Sequence, residues 1–402
     1  MISIAVFGYG TVGSGVVEVI EKNREVIDKR AGEEIRVKYI LDLRDFPGDP
    51  YADRVVHDVN VILQDPEVSI ICETMGGNEP AFTYSMQALK AGKSVCTSNK
   101  ELVANHGAEL IRTARENRCN YLFEASVGGG IPIIRPLNVA LTAEKIELIS
   151  GILNGTTNYI LTHMAEDGSS FEESLKEAQE KGYAERNPEA DVEGYDACRK
   201  IAILASLMTG KTVCYEEIHT EGITKITHED FLYAEKMNLF IKLLARIREQ
   251  DGKYYAIVAP FLIGEKNPLH SVNDVFNAIF IRGNTLGDSM YYGRGAGKLP
   301  TASAVVSDVI DCAKHGHTHI VCLWEEEKLP LSSIDGFSRR FFVRAAEGSE
   351  EAARELFGEI ERIDAGAAGE FGFVTPAISE KEFAEKCAAL PGFISRIRLE
   401  EA

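Results

Sequence analysis

The stretch ISIAVFGYGTVG, Ile2 to Gly13, joins an apolar run to a turn that contains three glycines. The apolar run predicts a buried strand, and the residues after it fall on one helical face at Val12, Val16, Val19 and Ile20. Glycines at this spacing permit a tight turn, close approach of the backbone to a pyrophosphate and close packing of the helix. The segment therefore predicts a strand, turn and helix that bind a dinucleotide, whereas the alternative is a turn that needs glycine only for its shape.

Short apolar runs alternate with amphipathic stretches through the first third of the chain. Further strands are predicted at IRVKYILDL, VSIICE, SVCTS and NYLFEA, with helical periodicity between them. This alternation is typical of a parallel sheet covered by helices. Residues 1–135 are therefore predicted to form a doubly wound, Rossmann-type α/β domain that binds a dinucleotide.

Beyond this domain the sequence predicts three further segments. Residues 136–300 mix strand and helix patterns, including a helix with a capping box at Ser170 and Glu173, and are predicted to form a mixed α+β catalytic and dimerisation domain. Residues 301–325 are expected to add a helix and a strand that pack back on the first two domains. Residues 330–402 are predicted to run strand, helix, strand, strand, helix, strand, which is the order of a ferredoxin-like domain.

The composition limits the class of partner. The 402 residues are 45% hydrophobic and carry a formal net charge of -19, so the overall field repels polyanions and argues against nucleic acid or an anionic membrane. The eight cysteines occur singly, as is typical of reduced thiols in the cytoplasm. Neither a signal peptide nor an apolar run of transmembrane length is evident in the sequence. We therefore expect a cytoplasmic protein that binds a small molecule.

Residues that follow the predicted strands lie where a dinucleotide is expected to bind. Asp42 suits a ribose 2′-hydroxyl and Arg44 suits a 2′-phosphate, so the pair leaves the choice between NAD and NADP open. Gly76 and Gly77 in TMGG, and Lys100 in TSNK, follow strands whose carboxyl ends gather at a ligand crevice. The alternative for each charged residue is a solvated surface position.

An acidic segment, GYAERNPEADVEGYDACRK (residues 182–200), surrounds one lysine at its end. Asp196 and Lys200 are four residues apart, and therefore share a face of a helix that continues into an apolar run. A lysine beside carboxylates is expected to stay protonated, which suits a proton donor to a developing alkoxide, and the other acids suit a substrate ammonium. From these residues alone, a simple helical ion pair is the favoured explanation.

Another glycine-rich segment, EASVGGGIP (residues 124–132), follows a further predicted strand. Such a stretch exposes carbonyl or N–H groups that can bind an ion. The alternative is a tight interdomain hinge, which the residues alone favour.

Together these segments resemble the homoserine dehydrogenase family. The resemblance runs in order from about Ile4 to Val306, through FGYGTVG, ETMGG, TSNKELVA, FEASVGGGIPII, GILNGTTNYILT, GYAERNPEADVEGYDACRKIAILA and GAGKLPTASAVVSD. The segment GILNGTTNYILT and the stretch from Glu185 to Lys200 are highly specific to that family, whereas the glycine turn is not. The resemblance implies reduction of L-aspartate 4-semialdehyde to L-homoserine in threonine, methionine and isoleucine biosynthesis, with NADP as the cofactor and NAD as the alternative.

The resemblance also assigns roles to individual residues. Those expected to be catalytic are Lys200 as the acid and base, Lys100 and Asp196. Those expected to bind substrate or to orient the catalytic lysine are Gly155, Thr156, Tyr183, Glu185, Asp191 and Asp196. Those expected to bind the cofactor are Phe7, Gly8, Gly10, Thr11, Val12, Gly13, Arg44, Gly76, Gly77 and Lys100. Those expected to bind a sodium ion through backbone oxygens are Glu124, Val127, Gly129 and Ile131.

The last segment of the chain is similar to an ACT domain, which implies regulation by an amino-acid effector. Its RAAEGSEEA turn lacks the Pro-Gly pair usual in that module. A homodimer or homotetramer is expected.

Two alternatives for the function of the protein stay open: a non-catalytic sensor of dinucleotides or amino acids, and a reductase of another amino-acid aldehyde. Turnover of aspartate semialdehyde with a reduced cofactor distinguishes both from the main interpretation.

Overall fold

The structure is a computed structural model that describes residues 1–400. Within these residues the α-helices are, in chain order, α1 (Thr11–Lys22), α2 (Arg24–Ala31), α3 (Val59–Leu63), α4 (Ala81–Lys90), α5 (Lys100–Glu116), α6 (Gly155–Asp167), α7 (Phe171–Glu180), α8 (Glu189–Val192), α9 (Tyr195–Thr209), α10 (His228–Lys236), α11 (Lys298–Lys314), α12 (Glu350–Phe357) and α13 (Glu380–Ala389). The strands are β1 (Ile2–Phe7), β2 (Ile35–Leu41), β3 (Val55–Val56), β4 (Val68–Glu73), β5 (Ser94–Thr97), β6 (Tyr121–Leu122), β7 (Ile146–Ile152), β8 (Lys211–Thr212), β9 (His219–Thr220), β10 (Leu239–Gln250), β11 (Lys253–Gly264), β12 (Phe276–Gly283), β13 (Gly287–Arg294), β14 (Glu325–Lys328), β15 (Ser338–Arg339), β16 (Phe341–Ala346), β17 (Arg362–Ile363), β18 (Glu370–Val374), β19 (Ile378–Ser379) and β20 (Phe393–Glu400).

The chain divides into two units, each built from three separate segments. Unit 1 comprises residues 1–144, 202–215 and 293–329. Unit 2 comprises residues 145–201, 216–292 and 330–402. Residues 401 and 402 lie outside the described residues.

Unit 1 contains a six-stranded sheet in the order β3-β2-β1-β4-β5-β6. All of its strand pairs are parallel. Ile4 and Val6 of β1, Val16 and Ile20 of α1, and Val305 of α11 belong to one buried apolar cluster in this unit. Strands with continuous apolar character are expected in a parallel sheet that helices cover. The predicted α/β fold with a Rossmann-like parallel sheet is confirmed.

Unit 2 contains a mixed sheet whose main path is β13-β12-β7-β10-β11-β20-β16-β18-β17, with β9 pairing β11. The pairs from β12 through β7 and β10 to β11 are antiparallel. The predicted capping box is present at the start of α7, where the Ser170 hydroxyl accepts from the Glu173 backbone and the Glu173 carboxylate accepts from the Ser170 backbone. Two backbone N–H groups at the helix end are thereby satisfied.

Residues 341–400 contain the predicted strand, helix, strand, strand, helix and strand as β16, α12, β17, β18, α13 and β20, with one further two-residue strand, β19, between β18 and α13. Strand β20 pairs in parallel with β11 through Phe261 and Arg398, so these strands extend the sheet of residues 145–292. The division at residues 136, 301 and 330 stays a prediction, and the two units described above differ from it in placing residues 330–400 with residues 145–201. The helix predicted within residues 301–325 corresponds to α11, and the next strand along the chain is β14.

Candidate active site

The glycine turn after β1 has the shape that dinucleotide binding requires. Gly8 has a φ of 86°, which favours glycine. A Cβ on Gly13 would lie 1.9 Å from the carbonyl oxygen of Gly8, so no side chain fits where α1 passes the turn. A Cβ on Gly10 would meet nothing within 4 Å, so the backbone there is open to a ligand. The first turn of α1, Thr11 to Gly13, has N–H groups without intrahelical partners, which suits a pyrophosphate.

The end of β2 carries both residues that bear on the choice of cofactor. The Arg44 guanidinium donates to both oxygens of Asp42, each at 3.0 Å. The Tyr9 backbone N–H donates to the same carboxylate at 2.8 Å. Hydrogen bonds from the Arg44 side chain lower the pKa of Asp42 to about 2. The Asp42 carboxylate is therefore ionised and held against the glycine turn, while the Arg44 side chain is 63% exposed.

The loops after β4 and β5 bring the other predicted cofactor residues of unit 1 together. The Asn99 side chain caps α5 by accepting from the Leu102 backbone, and its amide donates to the Gly77 carbonyl oxygen at 2.7 Å. Lys100 is the first residue of α5 and is half-buried, and Gly76 is exposed. The two loops are thus joined to each other at the carboxyl edge of the parallel sheet, where ligands bind in this type of fold.

In unit 2 the predicted catalytic lysine lies in a buried polar cluster. The Lys200 ammonium is 2.7 Å from Asp196 Oδ2 and donates to the Leu153 carbonyl oxygen at 2.8 Å. The two residues are only 8% and 4% exposed. A buried ion pair is maintained when further hydrogen bonds satisfy its remaining atoms, and the Leu153 carbonyl supplies one of them. The ammonium is therefore held in one position, which a solvated helical ion pair would not achieve.

Asn154 joins this cluster and was missed from the sequence. Its amide nitrogen donates to Asp191 Oδ1 at 2.7 Å and to Asp196 Oδ2 at 3.0 Å, while its carbonyl oxygen caps α6 at the Thr157 backbone. The signal that could have found it is its place as an N-cap, directly before the apolar and threonine-rich helix. One asparagine thereby ties the start of α6 to both acidic residues.

The remaining predicted substrate residues lie around the start of α6 with differing exposure. The Thr156 hydroxyl donates to the Tyr183 carbonyl oxygen at 2.6 Å, and Gly155 begins the helix. Tyr183 is 43% exposed. Glu185 is exposed, and its backbone oxygen accepts from Gln179. Unit 2 therefore brings Asp191, Asp196 and Lys200 into one network. Glu185 belongs to the same acidic segment but is exposed to solvent.

The triple-glycine segment of unit 1 is closed into a tight loop by its first residue. The Glu124 carboxylate accepts from the backbone N–H groups of Ile133, Ile134 and Arg135, at 2.6 to 2.8 Å. A Cβ on Gly129, whose φ is 58°, would lie 2.2 Å from the Gly295 carbonyl oxygen, so this position requires glycine. The Glu124 carboxylate is occupied by these hydrogen bonds within the loop. Backbone carbonyl oxygens are therefore the atoms left to ligate an ion, and oxygen is the ligand atom expected for sodium.

Two general features of the described residues accompany these sites. Within residues 1–400, no cluster of three histidine, cysteine or acidic side chains has an arrangement that could hold a metal ion. Across the same residues, no helix combines the length and the apolar character needed to cross a membrane.

Comparison with known proteins agrees with the motifs. Residues 8–124 match the family model of the homoserine dehydrogenase NAD-binding domain, and residues 132–310 match that of homoserine dehydrogenase. A homoserine dehydrogenase of Bacillus subtilis is 40% identical over 318 residues, which cover 78% of this chain and 73% of that protein.

Solved structures give the same result. The crystal structure of a homoserine dehydrogenase from Thiobacillus denitrificans is 34% identical, with a TM-score of 0.91, and the match covers 100% of this chain and 98% of that one. A hyperthermophilic archaeal homoserine dehydrogenase mutant in complex with NADPH is 31% identical, with a TM-score of 0.66, over 77% of this chain and 97% of that one. The chain therefore belongs to the homoserine dehydrogenase family, the oxidoreductases that interconvert L-aspartate 4-semialdehyde and L-homoserine in amino-acid biosynthesis.

Proposed function

We propose that this chain reduces L-aspartate 4-semialdehyde to L-homoserine with Lys200 as the proton donor and NADPH as the preferred cofactor. The observation that carries the proposal is the buried Lys200 ammonium, held 2.7 Å from Asp196. When bound, the cofactor supplies a hydride to the aldehyde carbon. Negative charge then develops on the aldehyde oxygen, and Lys200 donates a proton to it; in the reverse direction Lys200 accepts that proton.

The neighbours of Lys200 support this role by restricting its motion. Asp196 and the Leu153 carbonyl oxygen take two of the three ammonium protons, which leaves one for a substrate oxygen. Asn154 fixes the Asp196 carboxylate through the 3.0 Å hydrogen bond. Holding the donor before the reaction removes part of the entropic cost of reaching the transition state. We assign Asp196 as a positioning partner of the catalytic lysine.

The substrate carries an amino group, which the acidic segment suits. We propose that Asp191 and Glu185 bind this ammonium, with Tyr183, Gly155 and Thr156 lining the same site. Support comes from the hydrogen bond between Asn154 and Asp191, which places a carboxylate beside the Lys200 cluster. Opposite charges in a partly excluded environment attract more strongly than in water.

The test of the catalytic role is Lys200→Met, with Lys386→Met as the matched control. Lys386 also pairs with a carboxylate four residues earlier, at 2.8 Å from Glu382, but lies on α13. Loss of a general acid lowers turnover by about 100-fold to 10,000-fold. We expect this loss in Lys200→Met, measured from NADPH absorbance with aspartate semialdehyde, with NADPH affinity kept and the control unaffected. Unchanged turnover in Lys200→Met would refute the assignment, and oxidation of a related alcohol but not of homoserine would indicate another substrate.

The preference for NADP rests on Arg44. Its exposed guanidinium stands at the end of β2, where a 2′-phosphate is expected, and the related archaeal structure contains NADPH. We expect Arg44→Ala to weaken NADPH binding by about tenfold or more while NADH binding changes little, because one charge-assisted contact is lost. Arg30→Ala, an exposed arginine on α2, is the control. Equal NADPH affinity in the Arg44 variant would contradict the role. Lys100, Gly76 and Gly77 are proposed to contact the same cofactor.

The ion site and the last module complete the proposal. Sodium is proposed to bind the backbone oxygens of Glu124, Val127, Gly129 and Ile131, since the loop offers carbonyl donors. Turnover at constant ionic strength should then fall when sodium is replaced by a bulky organic cation.

We also propose an ACT-like regulatory domain at residues 330–402, which the sheet order β20-β16-β18-β17 supports. An amino-acid effector of this domain and a cytoplasmic homodimer or homotetramer belong to the same proposal. Equilibrium sedimentation with and without amino acids tests this assembly.

A further inference from the structure

The last residue of β4, Glu73, is a carboxyl group with no exposed surface inside the parallel sheet of unit 1. Its partners by strand register are Phe7 of β1 and Thr97 of β5. Burying an acid in a sheet opposes folding unless its oxygens are hydrogen-bonded. An acid in this position therefore depends on the hydrogen bonds that its oxygens accept.

The hydrogen bonds of Glu73 extend to both loops at the carboxyl edge of the sheet. Its Oε1 accepts from the Met75 backbone N–H at 2.7 Å, and its Oε2 accepts from the Thr97 hydroxyl at 2.5 Å. The Thr97 oxygen accepts in turn from the Asn99 backbone N–H at 2.9 Å. Asn99 then caps α5 and donates to the Gly77 carbonyl oxygen. One carboxyl group is thus linked to the shape of both loops.

We infer that Glu73 is a positioning residue that holds the loops of residues 74–77 and 97–100 in the conformation that binds the dinucleotide and presents Lys100. The inference rests on the proposed roles of Gly76, Gly77 and Lys100 at the cofactor. Glu73 itself touches none of the reacting atoms, because it lies beneath the loops with no exposed surface. Its effect passes through Met75 on one side and through Thr97 on the other.

The chemistry of the hydrogen bonds explains why the residue is an acid. Burial raises the pKa of the Glu73 carboxyl, and hydrogen bonds from the Thr97 hydroxyl, the Met75 backbone N–H and the Asn99 side chain oppose that rise by favouring the ionised form. In that form the carboxylate only accepts, which matches the donors that face it. The Thr97 hydroxyl has one proton, which it gives to Glu73, so its oxygen is free to accept from Asn99. A glutamine amide nitrogen at Oε2 would present a donor to that hydroxyl and leave its proton without a partner. Burial raises the pKa of the Tyr121 hydroxyl of β6 well above its usual value, and the nearby Glu73 charge raises it further.

The experiment compares Glu73→Gln and Thr97→Val with Thr97→Ser, which keeps the hydroxyl. NADPH affinity is measured by fluorescence titration, and KM for NADPH and for aspartate semialdehyde is measured with kcat. We expect both disruptive variants to raise the Kd and KM for NADPH by about tenfold, with the KM for the aldehyde nearly unchanged. Thr97→Ser should stay within about twofold of the unmodified protein. Asp65→Asn, three residues before β4 at its other end, is the control and should bind NADPH normally.

Three results would overturn or separate the proposals. NADPH affinity within about twofold of the unmodified protein in both Glu73→Gln and Thr97→Val, with both variants folded, overturns the positioning role. If Glu73→Gln does not fold, Thr97→Val tests the positioning role instead, because valine has nearly the same volume as threonine. Amide hydrogen exchange at Met75 and Asn99 must then be faster in Thr97→Val than in the unmodified protein. If Lys100→Met leaves NADPH binding and turnover unchanged while Glu73→Gln weakens binding, the proposed role of Lys100 fails and the role of Glu73 in shaping the loops stands.

Discussion

Replacing Glu73 by glutamine should remove a pH dependence from the stability of unit 1. Burial raises the pKa of the Glu73 carboxyl from its usual 4.5 to about 7. The folded state therefore binds this proton more tightly than the unfolded state does. The stabilising contribution is fully present below the usual pKa and is lost as the pH rises through about 7. At higher pH the ionised group opposes folding by about 3 kcal/mol, since one pKa unit is about 1.4 kcal/mol.

The assay can use the single tryptophan of the chain. Trp324 lies in unit 1, is buried and packs edge-to-face on Phe123, so its fluorescence follows the unfolding of this unit. Urea denaturation would be measured between about pH 5.5 and about pH 8. The free energy of unfolding of Glu73→Gln minus that of the unmodified protein should rise by about 2 kcal/mol across this range.

The control and the refuting result are distinct. Hydrogen bonding from Lys38 lowers the pKa of Asp65 to about 2, so its stabilising contribution is lost only as the pH falls through that value. The difference for Asp65→Asn should therefore be flat over the range tested. A flat difference for Glu73→Gln as well would show that the carboxyl titrates alike in the folded and unfolded states, and would refute the reasoning.

Three further predictions follow from single contacts. Gly13→Ala places a Cβ 1.9 Å from the Gly8 carbonyl oxygen, so the turn must open and NADPH affinity should fall by about tenfold or more in a fluorescence titration; normal affinity would contradict this. Asn154→Ala releases the Asp196 carboxylate, and kcat should fall by about tenfold with NADPH affinity unchanged; equal kcat would exclude the positioning role. Arg398→Leu removes the buried guanidinium that joins Glu221 to Glu380, which then depend on Arg396 and Arg339, and the free energy of unfolding from urea denaturation should fall by about 3 kcal/mol; a loss below about 1 kcal/mol would show that these two arginines compensate.

Much of the fold could be predicted because its signals are local. The apolar run of β1, the glycine turn and the helical spacing of α1 lie within residues 2–22, and each depends on neighbours in sequence. The capping box of Ser170 and Glu173 is likewise confined to one helical turn. The pairing of β11 with β20 could not be predicted in this way, because Phe261 and Arg398 are far apart in the chain and no local periodicity specifies which strand edges meet.

The candidate site divides along the same line. The spacing of Asp196 and Lys200 alone predicted their ion pair, since residues four apart share a helix face. The burial of that pair, and its contacts with Leu153 and Asn154, were decided by tertiary structure, because Leu153 lies 47 residues from Lys200 and Asn154 lies 42 residues from Asp196 in the chain. Glu73 illustrates the same limit: sequence placed it at a strand end, and only the packing of two loops made its carboxyl their common acceptor. Helix faces and turns follow from short-range geometry, whereas the partners of a buried polar group depend on which distant segments the folded core brings together.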